Sequence, residues 1–156
     1  MQLKKWLDNW DLRELKFTVG FMEMKWEPRD EDKAAAWDLY VELITRVATQ
    51  HLVPAQGQDR AALASIYQMF PLTRDIIKKN GRYCINFTKL AVVVLNQMVR
   101  PFTTKWHSVF EAPDPVAPEQ IVQFRIELLA LQAKLRKYTQ ALANLADVED
   151  LTYLPG

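Results

Sequence analysis

Glycine is scarce in this chain, with four in 156 residues. A β-rich or loop-rich fold would need more, because glycine serves tight turns and bulges. Cysteine occurs once, at Cys84, so no disulfide can close within the chain and no thiolate zinc site can be built. A reducing, cytoplasmic setting is the simplest expectation, and Cys84 itself reads as a helix-start or core residue. Histidine occurs twice, at His51 and His107. Neither has a glutamate three residues before it, which removes the Glu-x-x-His pairs of a di-metal bundle. No metal and no cofactor is expected.

One-sided charge is lacking too. Twenty Lys and Arg stand against 19 Asp and Glu, so nucleic acid is not indicated by net charge, although a local basic patch stays open. The longest uninterrupted apolar run, residues 90–95, falls far short of the ~20 residues a membrane span needs, and no membrane association is expected. The opening MQLKKWLDNWD has basic residues but no following apolar core, so it does not read as a signal peptide. The glycine-rich phosphate loops and the G-x-S-x-G nucleophile pattern are absent.

What is present is helical periodicity. Hydrophobic residues make up 49% of the chain, enough for one domain of this length to bury a core unaided. Leu3, Trp6, Leu7 and Trp10 have helical spacing. Long helices are expected near 30–52, 59–80, 84–110 and 118–146, giving an all-α, four-helix-bundle-like domain. Trp37, Tyr40, Val41, Ile44, Val47 and Ala48 share one face of the first of these. Asp30, Glu31 and Asp32 sit where its dipole favours negative charge, with Asp30 as N-cap. Pro71 must kink or break the second helix and Pro101 the third, and Gly81 suits the end of the second.

In the last helix Ile121, Phe124, Leu128, Leu131, Leu135, Tyr138, Leu142 and Leu145 keep heptad spacing. Ile126 and Leu129 widen the apolar face of its first half, as for a helix inside a bundle. Its second half narrows to a seam, so Leu135, Tyr138 and Leu142 are the expected site for a partner helix.

Residues 15–26 change period. Leu15, Phe17, Val19 and Phe21 alternate with polar residues, and the phase shifts after Gly20 to Met22, Met24 and Trp26, as a bulged strand would. This gives an expected N-terminal arm, residues 1–28, on a bundle of 29–150, with a C-terminal tail of 151–156. A lone strand leaves backbone groups unpaired. Phe17, Val19, Phe21, Met24 and Trp26 are therefore candidates for docking a protein partner or a second copy by strand addition. Residues 151–154 are the alternative mate within the chain.

Three basic residues, Arg74, Lys78 and Arg82, lie at i, i+4 and i+8, with Lys79 beside them. They form either a phosphate-binding stripe or an ordinary complement to a helix C-terminus. Each histidine also follows an arginine. Arg46 precedes His51 with four residues between, and Arg100 precedes His107 with six. An Arg-x4–6-His pattern on a helix resembles the HEPN family of RNA-cleaving domains. That resemblance implies a metal-independent endoribonuclease acting as a dimer, with Arg100 and His107 as its catalytic pair. Imidazole would move the 2′-hydroxyl proton and guanidinium would stabilise the phosphate transition state. Pro101, directly after the arginine, departs from the family's usual polar residue. A broader similarity, carried by residues 94–107, 123–128 and 146–150, looks like uncharacterised helical proteins of bacterial conflict and phage-defence loci. It implies a bacterial accessory subunit. The leading expectation is a non-enzymatic helical module that works by binding protein, with the HEPN-like endoribonuclease as the alternative.

Overall fold

The structure is a computed structural model describing residues 1–46 and 58–154. Every regular element among them is helical: α1 (Leu3–Asn9), α2 (Val19–Glu23), α3 (Asp30–Ile44), α4 (Gln58–Tyr67), α5 (Met69–Asn80), α6 (Ile85–Val94), a π turn (Leu95–Val99), α7 (Arg100–Glu111) and α8 (Pro118–Ala146). The fold is all-α. The four expected long helices correspond to α3, α4 with α5, α6 through α7, and α8. Residues 47–52 of the first expectation, with Val47, Ala48 and His51, lie outside the described residues.

Proline sets the two internal breaks. Pro71 is the third residue of α5, inside the first turn, where a missing N–H breaks no helical bond. The chain bends just before it, at Gln68. Pro101 is the second residue of α7. Directly ahead of it the helix widens, and the Arg100 N–H reaches back five residues to the Leu95 carbonyl. The extra residue in this turn accommodates the missing donor and brings Phe102, Trp106 and Phe110 round to the core side.

With glycine scarce, aspartate stops two helices. Asp11 and Asp147 adopt the left-handed conformation, at φ 55° and 59°. After α1, Leu12 N–H bonds Leu7 C=O (2.8 Å) and Asp11 N–H bonds Asp8 C=O (3.1 Å). After α8, Val148 N–H bonds Ala143 C=O and Asp147 N–H bonds Asn144 C=O, both at 3.0 Å. Both are Schellman closures, with aspartate, a residue that tolerates this region, where glycine is usual. Gly81, with φ 80°, ends α5 as expected.

The expected strand over residues 15–26 is not formed. Thr18 C=O accepts the N–H groups of Phe21 and Met22 to open α2, and Phe17 and Phe21, one turn apart, bring their rings to 5.4 Å. Phe17 lies just before the helix and folds back onto its first turn, and this local turn takes precedence over the alternating pattern. Only a single antiparallel bridge, Gln2 with Lys25, remains of it. Leu3 N–H bonds Met24 C=O and Trp26 N–H bonds Met1 C=O. The end of this segment is therefore met by the first residues of the chain, and its start by the Gln97 side chain, which accepts from Lys16 N–H and donates to Lys16 C=O.

Residues 1–28 contribute to the same core as the helices that follow. Leu3, Trp6, Leu7, Leu12 and Leu15 are buried in the one common core. The Trp6 indole stacks on Trp26 at 4.9 Å and donates to Asn144 of α8. The C-terminal segment is tied down as well: the Tyr40 hydroxyl donates to Glu149 C=O and accepts from Leu151 N–H.

Two helix faces differ from expectation. On α3 the core side is Ala35, Ala36, Leu39, Tyr40 and Leu43, while Trp37 and Val41 are exposed. Helix α3 packs against α8, α5 and α6, and small side chains on its core side let helix axes approach closely. On α8 the buried seam runs through both halves, with Phe124, Leu128 and Leu131 buried too, so the second half is not left open. Leu135, Tyr138 and Leu142 are fully buried within the chain, whereas Val122, Ile126 and Leu129 in the first half are 59%, 56% and 46% exposed.

Candidate anion-binding groove

Helix α5 carries Arg74 and Lys78 one turn apart, which places both side chains on one face. The opposite wall comes from α6, the π turn and the start of α7, which contribute Val92, Leu95, Asn96 and Arg100. Between the walls lies a groove of about 360 Å³, floored by Phe70, Thr73, Ile77 and Leu95. The π turn matters here. Asn96 and Arg100 are i, i+4 across it, and the Arg100 Nε donates to Asn96 Oδ1 at 3.2 Å. The Arg100 guanidinium also lies 4.7 Å over the Phe70 ring, so its plane is held by stacking and by one hydrogen bond.

Charge in the groove is of one sign. Arg74, Lys78 and Arg100 line it without an aspartate or glutamate among the lining residues. None of the three has a carboxylate partner among the described residues. Acidic groups gather instead on the other side of α5. There Asp38, Glu42 and Asp75 line a second cleft with Trp37, Val41 and Lys79. A third cleft, between α7 and α8, contains Lys105 and Glu127 paired at 2.7 Å. Burial works against ionisation of Glu127, but hydrogen bonds from Lys105 and Gln123 prevail and hold its carboxyl below the usual range.

Of the expected basic stripe, two residues line this groove. Arg74 and Lys78 take part. Arg82 does not: it follows the end of α5 and lies over its neighbour Tyr83. Arg100, assigned from sequence to catalysis, joins the basic pair, and Asn96, which the sequence did not single out, completes the wall. The only signal for Asn96 was its i, i+4 spacing from Arg100.

His107 stands outside the groove. Its imidazole packs edge-on against Tyr67 at 5.1 Å, and Tyr67 in turn contacts Phe70 at 5.5 Å. Two aromatic rings therefore lie between His107 and Arg100, which are seven residues, about 10 Å, apart along the helix. Of the other arginine–histidine pair, Arg46, just past the end of α3, is bound to Glu42 of that helix, and His51 lies outside the described residues. Of the strand-addition candidates, Val19 and Met24 are exposed, while Phe17, Phe21 and Trp26 pack against the core. Cys84 is buried at the start of α6, its thiol against Gly81 C=O.

No helix among the described residues is long and apolar enough to cross a membrane. No protein family, curated protein or solved structure matches the chain.

Proposed function

We propose that this chain is a non-enzymatic binding subunit, an accessory member of a multi-protein assembly, and that the groove between α5 and the π turn is its ligand-binding surface. One observation carries the reading. The groove presents groups that hold an anion, two guanidiniums, an ammonium and an amide, over an apolar floor, and its lining has no carboxylate, imidazole or thiol to move a proton or attack a bond. Its one hydroxyl, on Thr73, is buried. The sequence resemblance to helical proteins of bacterial conflict loci supports the accessory role. Titration of isotope-labelled protein with pyrophosphate, followed by amide chemical shifts, tests the reading. Shifts confined to residues 70–78 and 92–100 are expected. A spectrum unchanged at high pyrophosphate concentration would overturn it.

A second reading, the HEPN-like endoribonuclease, is favoured by one feature: Arg100 and His107 lie two turns apart on α7 and share the aromatic corner of Tyr67 and Phe70. It requires RNA cleavage that is lost in both His107→Ala and Arg100→Ala with the fold intact. Protein inert toward diverse RNAs is the outcome expected from the binding reading.

A further inference from the structure

We infer that the groove's ligand is a nucleoside phosphate, a small molecule with one phosphoryl end and one flat base. This rests on the groove being the binding surface. Three cations converge on it from two walls without counter-charge, and an anion with several oxygens relieves their mutual repulsion. Arg74 and Lys78 lie on α5, across the groove from Arg100, and supply the charges for a phosphoryl group. Phosphate alone leaves the exposed Val92 and the partly exposed Ile77 wet. A flat apolar body joined to the phosphate covers them.

The Arg100 guanidinium is already fixed by Phe70 beneath it and Asn96 beside it. Its outer face offers a planar cation on which a base can stack with little ordering still to be done. The Asn96 carboxamide accepts from Arg100 through its oxygen, which leaves its NH₂ to donate to a base edge. Scale and surroundings favour a small ligand over a polymer. The groove, about 360 Å³, is at the small end of ligand-pocket sizes. Beyond α5 the basic face does not continue: the cleft there carries Asp38 paired with Lys79, Glu42 paired with Arg46, and Asp75.

Calorimetric titration of the full chain with adenosine monophosphate, inorganic phosphate and a short single-stranded oligonucleotide tests the inference. The nucleotide should bind once per chain and about tenfold or more tighter than phosphate, since stacking one base contributes about 1–3 kcal/mol. Arg74→Glu and Arg100→Ala should each weaken nucleotide binding about tenfold or more, with helical circular dichroism unchanged. Arg82→Ala, a cation outside the groove, should leave it unaltered. Equal binding of phosphate and nucleotide would overturn the nucleotide assignment and leave the anion groove standing. Binding of the oligonucleotide but not the nucleotide would overturn it in favour of a strand. Silence toward all three, with no pyrophosphate shifts, would remove both the ligand and the groove reading. Equal weakening by Arg82→Ala would show diffuse electrostatics and no site.

Discussion

Asp32 Oδ1 accepts a 2.8 Å hydrogen bond from the backbone N–H of Phe87, joining the first turn of α3 to the first turn of α6. Its other oxygen accepts from Arg29 N–H at 2.8 Å and from the Asn86 side chain at 3.2 Å. One fully buried carboxylate thus satisfies orphan donors at two helix starts, fifty-five residues apart. Asp32→Ala should destabilise the chain by about 2–4 kcal/mol, because it leaves a buried N–H unpaired as well as removing charge-assisted bonds. Urea unfolding measures this. A loss below about 0.5 kcal/mol would mean that the junction does not need the carboxylate.

The second prediction concerns the N-terminus. Leu3, Leu7, Leu12 and Leu15 are almost fully buried, and Trp6 bonds Asn144. Deleting residues 1–27 should therefore abolish cooperative thermal unfolding, since each large buried side chain contributes about 2–5 kcal/mol against a total of about 5–15. A truncated protein that still melts sharply would restore the view of this segment as a detachable arm.

The two halves of α8 should respond in opposite ways. Leu142→Asp puts a charge at a fully buried position and should unfold the domain. Ile126→Asp, on the exposed stripe with Val122 and Leu129, should change stability by no more than about 0.5 kcal/mol. It should also abolish whatever self-association sedimentation detects at high protein concentration, because an aligned apolar stripe is what a second helix covers. Unfolding by Ile126→Asp would show that the stripe is covered within the chain.

Tyr138 carries a fully buried hydroxyl with no hydrogen-bond partner among the described residues, and burial pushes its ionisation far above the ordinary tyrosine range. Tyr138→Phe keeps the ring and removes the unpaired group. It should leave stability unchanged or raise it by about 1 kcal/mol, a rise in Tm of about 2–4 °C. A fall of more than about 1 kcal/mol would show that the hydroxyl is bonded in solution, through water.

Local signals made the helices legible. Pro118 opens α8, Gly81 closes α5, Pro71 breaks the second long helix, and heptad spacing picked out the α8 residues that are buried. Each rests on neighbours within a turn or two of chain, where proline's missing N–H and glycine's freedom act directly. The strand expected over 15–26 was a misreading of the same kind of signal, since alternation over a short run is compatible with the Phe17–Phe21 turn once Gly20 shifts the phase.

Which face of a helix is covered was not in the sequence. Spacing tells that Val122, Ile126 and Leu129 share a side, and that Trp37 and Val41 do, but not what lies opposite them. That depends on how α3 packs against α8, α5 and α6, which places Ala35 and Ala36 on the core side. The groove has the same origin. Arg74 and Lys78 were visible as a pair on α5 and Arg100 was visible on α7. Their convergence needs the break at Gln68, the wide turn before Pro101 and the packing of Phe70 beneath the guanidinium. The sequence determined by itself where the long helical stretches lie and which of their residues fall on the same side, because those are short-range steric and hydrogen-bonding effects. Only the tertiary structure decided what each side meets and which cations share a groove, because burial is shared among segments distant in the chain.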